Sequence, residues 1–365
     1  MRILYGVQAT GQGHISRARA MSQALSGLPV EVDWLFSGRP AEQLFDMEPF
    51  PGYRHRRGLT FATRAGGISY LGTLVHNNLP AFLRDVRSLD LRGYDAIVTD
   101  FEPVTAWAGR LAGVPTIGIG HQYAFGGATP VVGGNLIARL LMHHFAPVDL
   151  ALGLHWHPYA ANVLPPILDL PDLARECGEH VLVYLPFEDQ DAVTAWLQRF
   201  PQQAFRQYAP GLDHAQRGNV QRCPTSIASF KRDLAGSHGV ICNSGFELIS
   251  ECLHWHKPVL TRPLVGQMEQ LSNAAALEQL GYARVTRTLC PDTLADWLAR
   301  PLAPPQLRFA PVHQTLARWL AGGCRETPAQ LQRQLWPQDA LPGADSRPLP
   351  TRDCGPALGI SGVLR

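Results

Sequence analysis

Short apolar runs alternate with amphipathic stretches along most of the chain. In its first half the apolar runs are Arg2–Val7, Val30–Phe36, Tyr94–Thr99 and Thr116–Ile119. Such short runs are typical of buried strands, whereas the stretch from about Ile15 to Leu25 has the period of a helix. Strands that alternate with helices predict βαβ units and a parallel, doubly wound sheet.

The same pattern starts again in the second half. Strands are predicted at Val181–Leu185, Gly239–Cys242 and Pro258–Thr261, and helices at Ala192–Phe200 and Phe246–Trp255. A proline-rich stretch, residues 158–171, separates the halves. The predicted fold is α/β, with two Rossmann-like doubly wound domains that face a cleft. The first domain spans 1–160, a linker 161–178 and the second domain 179–336. The remainder, 337–365, has no periodicity and is predicted to be disordered.

Composition narrows the class of protein. Hydrophobic residues make up 45% of the 365 residues and charged residues 17%, which provides apolar side chains for two cores. A formal net charge of +2 is too small to indicate a nucleic-acid binder. Seven cysteines without a C-x-x-C motif favour a reducing compartment. With neither a secretory signal nor a run of about 18 apolar residues, we expect a cytoplasmic protein, or one peripheral at the inner face of the membrane.

The segment from Ile241 to Glu251 carries the clearest chemical pattern. A strand ends there, Asn243 and Ser244 offer capping side chains, Gly245 permits close approach of a ligand, and a helix follows. The N-terminus of such a helix can bind a diphosphate. Glu247 and Glu251 lie four residues apart on one helical face, so their repulsion should be offset from outside the helix. A carboxylate at this position could accept hydrogen bonds from the hydroxyl groups of a ribose.

Polar side chains also follow the next strand. A loop carries Gly266 and Gln267, and Glu269, Gln270 and Asn273 come at the start of a helix that ends at Gly281. In an open α/β sheet, ligands bind at the carboxyl edge of the strands, where these side chains would lie.

Taken together, these residues resemble the donor-binding signature of GT-B glycosyltransferases. The motif residues are Ser244-Gly245, Glu251, Lys257-Pro258, Pro263, Glu269-Gln270 and Asn273-Ala274. The pattern is similar to that of the peptidoglycan N-acetylglucosaminyltransferase family (glycosyltransferase family 28-like). The whole chain also resembles an uncharacterised prokaryotic branch of that superfamily, which opens with a similar glycine-rich turn and carries SGFELISE. The resemblance covers about residues 1–300.

The resemblance implies roles for these positions. By position, Ser244 and Gly245 match the diphosphate loop, Glu251 matches the ribose-binding glutamate, and Glu269-Gln270 match the pair that contacts the donor sugar. Relatives often have Asp-Gln at this pair, so the identity of the sugar stays open. The implied activity is transfer of a hexosyl group from a nucleoside-diphosphate sugar, with UDP-sugars favoured, to an acceptor hydroxyl. The resemblance also implies that no metal or cofactor is needed.

The first domain contains a second candidate site. The turn with Gly11 and Gly13 follows the first strand, and in the resembled family it shapes the acceptor site and approaches the donor phosphates. His14, at the helix start, suits a general base because an imidazole titrates near neutral pH. Its alternative is a histidine that only orders the loop. Asp100 ends another strand, where it can orient His14, act as the base itself, or simply cap a helix. His121 is expected to line the same cleft.

Other polar groups give weaker indications. Histidines occur in two closely spaced pairs, at 155/157 and at 254/256. Neither pair has a third metal ligand at a suitable spacing, so we expect no metal site. A basic segment, 54–64, beside the apolar run 68–74 would suit an anionic acceptor such as a lipid-linked glycan of the cell envelope at a membrane surface, or it is a surface loop.

Three other functions compete with this hypothesis. Gly11 and Gly13, followed twenty residues later by Asp33 at the predicted end of the second strand, resemble the fingerprint of an NAD-dependent oxidoreductase, but Ser16 stands where the third glycine belongs. A sugar-nucleotide 2-epimerase shares the GT-B fold but would need further carboxylates in the cleft. A subunit that only binds nucleotide sugars would not need the complete first domain.

Overall fold

The structure is a computed structural model. It describes residues 1–44, 46–60, 63–64, 67–68, 78–133, 142, 144–173, 176–303 and 306–341. Three predicted segments lie wholly or partly outside the described residues. They are residues 342–365 of the predicted tail, most of the apolar run 68–74 and part of the basic segment 54–64.

Two seven-stranded sheets form the scaffold. The first has the order β3-β2-β1-β6-β7-β8-β9 and is parallel throughout. Its strands are β1 Arg2–Gln8, β2 Glu31–Ser37, β3 Arg54–His55, β6 Ala96–Asp100, β7 Thr116–Gly120, β8 Leu150–Leu154 and β9 Val163–Leu164. A separate hairpin pairs β4 Thr63–Arg64 with β5 Gly67–Ile68.

The second sheet repeats this plan in the order β12-β13-β11-β10-β14-β15-β16, with only the β12–β13 pair antiparallel. Its strands are β10 His180–Tyr184, β11 Ala204–Tyr208, β12 Ala215–Arg217, β13 Val220–Cys223, β14 Gly239–Asn243, β15 Val259–Arg262 and β16 Arg284–Val285.

Helices cover these sheets. Those of the first half are α1 Gln12–Leu25, α2 Leu79–Ser88 and α3 Pro103–Ala112. Those of the second half are α4 Gln190–Leu197, α5 Ile227–Ala235, α6 Phe246–His254, α7 Met268–Leu280, α8 Pro291–Ala299, α9 Val312–Ala321 and α10 Pro328–Leu335. The prediction of two doubly wound α/β sheets is confirmed, and Gly281 ends α7 in the left-handed conformation, where glycine is favoured.

Each sheet reverses its winding direction beside its first strand. β1 is flanked by β2 on one side and β6 on the other, and β10 is flanked in the same way by β11 and β14. Ligands of open α/β sheets bind at the carboxyl edge of such a switch point, where the loops that leave neighbouring strands diverge. The loops after β1 and β6, and the loop after β14, therefore define where a site is expected.

The two halves share more than a linker. Beyond the predicted end of the first domain at residue 160, β9 still pairs with β8 in the first sheet. The last helices return to the first half, where α9 packs against α1 and Gln332 of α10 donates to the carbonyl oxygens of Ala160 and Val163. The domain boundaries stay a prediction, but chain segments from both sides of them pack together.

Asp33 lies elsewhere than expected. The sequence placed it at the end of the second strand, but it is the third residue of β2, near the amino end. Its carboxylate accepts hydrogen bonds from Arg2, at 2.9 Å, and from Tyr94. The dinucleotide fingerprint needs its acidic residue at the carboxyl edge, so this part of the oxidoreductase hypothesis is wrong.

Candidate functional site

The site is the cleft where the two switch points face each other. The turn after β1 and the last residue of β6 border it from the first sheet, and the loop between β14 and α6 borders it from the second. Side chains from both halves meet here, because Arg17 contacts Glu247 and His121 contacts Asn273.

His14 is held by Asp100. The imidazole Nδ1 lies 2.8 Å from Oδ1 of Asp100, a residue that is 1% exposed. His14 belongs to the first turn of α1, and Asp100 is the last residue of β6, the strand next to β1. Asp100 does not cap the following helix, because Glu102 caps α3 by accepting from the backbone N–H groups of Val104 and Thr105. The alternative of a bare helix cap for Asp100 is therefore wrong.

Arg17 binds the same carboxylate from the other side. Its Nε donates to Oδ2 of Asp100 at 2.8 Å and its Nη2 to Oδ1 at 2.7 Å, which makes a two-pronged ion pair. Burial alone would raise the pKa of Asp100, but the positive charge of Arg17 and the bond to His14 outweigh it, so the pKa is lowered. Asp100 is accordingly an anion at neutral pH.

Glu247 reaches Arg17 from the second half. It lies in the first turn of α6, and its Oε1 accepts from Nη1 of Arg17. Gly13 makes the approach possible, since a Cβ at that position would lie 2.5 Å from Cγ of Glu247. Burial, opposed by Arg17 and reinforced by the negative charge of Asp100, raises the pKa of Glu247 to about 8.

The start of α6 differs from the sequence prediction. Neither Asn243 nor Ser244 caps the helix, because the N-cap is Gly245 and no side chain bonds there. Asn243 instead donates to the carbonyl oxygen of Arg262, and the hydroxyl of Ser244 pairs with that of Thr261 at 2.9 Å. Both side chains therefore tie β14 to β15. A Cβ at Gly245 would meet no atom within 4 Å, so space is open beside this helix end.

Glu251 is paired with a buried lysine. Lys231 of α5 donates to its Oε1, and the two side chains are 9% and 5% exposed, respectively. Burial, only partly opposed by Lys231, raises the pKa of Glu251. The repulsion between the two glutamates of α6 was expected to be offset by groups outside that helix. Arg17 and Lys231 are those groups. That Glu251 binds a ribose stays a prediction.

His121 and Asn273 join the two halves at the cleft floor. Nδ1 of His121 donates to the carbonyl oxygen of Leu154 at 2.8 Å, and Nε2 lies 2.7 Å from Oδ1 of Asn273. Asn273 also donates to the carbonyl oxygen of Ser244. The ring of His121 stacks on Phe246, with centroids 3.9 Å apart. Both polar residues are fully buried, so they connect the halves rather than present free polar atoms.

The remaining predicted donor residues lie around the start of α7. Glu269 accepts from Nε2 of Gln122 at 3.2 Å, another contact between the halves, whereas Oε1 of Gln270 accepts from the backbone N–H of Leu264. Gly266 has a positive φ of 76° with open space around it, and Gln267 is the N-cap of α7. Whether these groups or the turn with Gly11 contact a donor stays a prediction.

Two residues of the site, Arg17 and Lys231, were not among those predicted from the sequence. The sequence does indicate that Arg17 lies near His14, because it follows His14 by three residues and therefore lies on the same helical face. Lys231 carries no such signal, because only the packing of α5 against α6 brings it to Glu251.

Within the parts of the chain that the structure describes, no group of three or more His, Cys, Asp or Glu residues could hold a metal ion. Over the same residues, no helix combines the length and apolar character needed to cross a bilayer.

Comparison with known sequences finds a matching family model and a relative. The model of glycosyl transferase family 1 matches residues 1–301. An uncharacterized glycosyltransferase of Methanosarcina acetivorans is 36% identical over 80 residues, a stretch that covers 21% of this chain and 21% of that relative.

Solved structures with the same fold include two glycosyltransferases. One, from Streptomyces sp. SF2575 and complexed with thymidine diphosphate, is 16% identical with a TM-score of 0.55, over 92% of this chain and 99% of that one. The other, MurG of Acinetobacter baumannii, is 14% identical with a TM-score of 0.52, over 93% and 96% of the two chains. At these identities the likeness shows the fold alone.

Proposed function

This chain belongs to glycosyl transferase family 1, and from that premise we propose that it transfers a sugar from a nucleoside-diphosphate sugar to an acceptor hydroxyl. The single observation that carries the proposal is the contact of His14 with Asp100 at the carboxyl edge of the first sheet. A histidine held in this way, across a cleft from the open helix end at Gly245, suits the deprotonation of an acceptor beside a bound diphosphate.

The proposed reaction is a single displacement. Nε2 of His14 removes the proton of the acceptor hydroxyl as that oxygen attacks the anomeric carbon, and the bond to the nucleoside diphosphate breaks with its electron pair. Asp100 keeps the proton on Nδ1 and stabilises the imidazolium that forms. The N-terminus of α6 stabilises the negative charge of the leaving diphosphate. Attack from the face opposite the leaving group inverts the anomeric centre, and no metal takes part.

Two nucleotides deserve the first tests as donors. The resemblance of the signature favours UDP-sugars, whereas the Streptomyces structure of the same fold is complexed with thymidine diphosphate. Either nucleotide would place its diphosphate at Gly245 and its ribose near Glu251, which must then share its carboxylate with Lys231.

The acceptor is proposed to be a lipid-linked or other envelope glycan. Support comes from α2, where Leu79 and Leu83 are 49% and 44% exposed, in the neighbourhood of Arg84 and Arg87. Apolar and basic side chains on one exposed helix suit an anionic membrane surface. Co-sedimentation with phosphatidylglycerol vesicles but not phosphatidylcholine vesicles would support this, and equal binding to both or to neither would contradict it.

A thermal-shift panel tests the donor. The panel contains UDP, dTDP, GDP and NADH, applied to the wild type and to Glu251→Ala. One nucleoside diphosphate should raise the melting temperature of the wild type but not that of the variant. Stabilisation by NADH alone would contradict the proposal.

Turnover of the preferred donor tests the reaction. Slow release of free sugar, unaffected by EDTA and abolished in His14→Ala, supports a metal-independent transferase, and proton NMR of the released sugar should show an inverted anomeric centre. If the donor is instead converted to an isomeric nucleotide sugar without release, the protein is an epimerase of the same fold.

A further inference from the structure

Arg39 brings a positive charge to the first-half side of the cleft. It lies in the loop after β2, and its Nη2 donates at 2.6 Å to the carbonyl oxygen of Thr10, in the glycine-rich turn that leads to α1. Its Nη1 donates to the carbonyl oxygen of Gln43 at 3.5 Å. The loop is held from the other side, because Nε2 of His55 lies 2.8 Å from the carbonyl oxygen of Arg39. The guanidinium is therefore fixed beside the turn.

The charge of Arg39 has no carboxylate to balance it within the described ranges of the chain. Both hydrogen bonds of its guanidinium go to uncharged carbonyl oxygens, whereas Arg17 contacts the carboxylates of Asp100 and Glu247. The side chain is half-buried, and this burial lowers the pKa of Arg39, opposed by the hydroxyl of Tyr184 at the end of β10 in the second half. An arginine that has lost water without gaining a carboxylate favours an anionic ligand.

Two helix ends without a side-chain cap border the same cleft. The N-cap of α1 is Gly11 and that of α6 is Gly245. The first turns of the two helices are in contact, since a Cβ at Gly13 would lie 2.5 Å from Cγ of Glu247. Space is open beside both N-caps, because a Cβ at Gly245 would meet no atom within 4 Å and the atom nearest to one at Gly11 would be Cδ2 of His14, at 4.0 Å. One anion between the halves could therefore receive backbone N–H groups of both helices.

We propose that Arg39 binds the terminal phosphate of the nucleoside diphosphate, the phosphate that carries the sugar. This assignment rests on the proposed function, because it assumes that the nucleoside lies on the second half. The terminal phosphate then lies nearest the first half, since its sugar must be within reach of an acceptor that His14 deprotonates. When the bond between the sugar and the phosphate breaks, its electron pair stays on the phosphate oxygen. The guanidinium of Arg39 stabilises this added charge.

A purely structural role for Arg39 would be to order the glycine-rich turn through its bond to Thr10. Two variants separate this role from phosphate binding. Arg39→Lys keeps the charge but cannot make both carbonyl bonds, because an ammonium lacks the planar fork of a guanidinium. Arg39→Met keeps a long stem without the charge. If Arg39 only ordered the turn, the two variants would behave alike, whereas a phosphate ligand predicts that lysine restores binding.

Calorimetric titration with nucleotides that differ by one phosphate is the direct test. The wild type and both variants are titrated with the pairs UMP and UDP, dTMP and dTDP, and GMP and GDP. Arg39→Met should weaken binding of the preferred diphosphate about tenfold or more, and binding of the matching monophosphate less than about threefold. Arg39→Lys should recover most of the diphosphate affinity. The kcat for release of sugar from the donor should fall in the same order.

Arg284→Met is the matched control, because Arg284 is also half-buried but pairs with Asp296. It should leave all affinities unchanged.

Three results would overturn the assignment and leave the proposed function standing. They are an unchanged diphosphate affinity in Arg39→Met, equal losses for monophosphate and diphosphate, and an affinity in Arg39→Lys as low as that in Arg39→Met. Reduced co-sedimentation of Arg39→Met with phosphatidylglycerol vesicles, at full diphosphate affinity, would assign the charge to an anionic acceptor instead. If the wild type binds none of the nucleotides, the proposed function fails, and this assignment fails with it.

Discussion

His14 and Asp100 are 86 residues apart in the chain, yet Nδ1 of one lies 2.8 Å from Oδ1 of the other. They meet because β6 pairs directly with β1, so the end of β6 lies beside the turn that leads into α1. The pairing of two neighbouring strands thus builds the proposed base and its orienting carboxylate.

Asp100→Asn should abolish most of the activity and also lower the melting temperature, because buried Arg17 loses its carboxylate partner. An amide of the same shape can present its nitrogen to Nδ1 and stabilise the wrong tautomer, and it cannot stabilise an imidazolium by charge. We expect kcat for donor turnover to fall by about 100-fold or more. Thermal shift with the preferred nucleotide should stay as in the wild type, and a lost shift would indicate that Asp100 acts on donor binding instead.

Lys231→Met should be strongly destabilising. It leaves the carboxyl of Glu251 buried without its cation, which typically costs about 3–5 kcal/mol. The double variant Lys231→Met/Glu251→Leu removes both charges and should recover much of the stability, measured by urea unfolding. Equal stability of the wild type and the Lys231→Met variant would show that the pair does not form in solution.

The stability of the protein should fall as pH rises toward 8. Glu247 faces Arg17, Asp100 and Glu251, and its pKa is raised to about 8 in the folded state, against about 4.3 when unfolded. The folded protein therefore holds a proton that the unfolded chain releases, so this stabilisation is complete below about pH 4 and is lost as pH rises through 8.

Melting temperatures between pH 5 and 8 test this dependence. The pKa difference is worth about 3–4 kcal/mol between pH 5 and 8, and a chain of this length shifts by about 1.3 °C per kcal/mol. The wild type should therefore lose about 5 °C across the range, and Glu247→Gln should lose less. A variant that follows the wild-type curve would show that Glu247 is ionised throughout.

Gly245→Ala should affect nucleotide binding but not stability, whereas Gly13→Ala should lower stability. A Cβ at Gly245 meets open space, so the free protein should melt near the wild-type temperature, while the shift caused by nucleotide shrinks if the diphosphate binds there. A Cβ at Gly13 lies 2.5 Å from Cγ of Glu247, and such overpacking typically costs about 1–3 kcal/mol. A full nucleotide shift in Gly245→Ala would place the diphosphate elsewhere.

Much of the fold was predictable because its signals are local. The apolar run of β1 and the helical period of α1 require only neighbouring residues, and Gly281 marks the end of α7 for a steric reason that belongs to glycine itself. The alternation of strands and helices then leaves a doubly wound parallel sheet as the expected arrangement. Short edge strands such as β3 and β16, with two residues each, carry too little periodicity to be recognised.

The candidate site was predictable only in outline. Sequence position placed His14, Asp100 and the start of α6 at carboxyl edges, because parallel strands all end at the same edge of a sheet. The prediction that Asn243 and Ser244 cap α6 was wrong, because their side chains bond to β15 instead. A residue type that can cap a helix does not reveal which hydrogen-bond partner will lie nearest to it.

The sequence by itself determined the strands and helices that border the cleft and the residue types there, because hydrophobic period and turn chemistry act over a few residues. Only the tertiary structure decided which charges meet. Arg17 and Glu247 are 230 residues apart, and Lys231 and Glu251 lie on different helices. Such a contact depends on distances between atoms of separate elements, and those distances exist only after the elements have packed against each other.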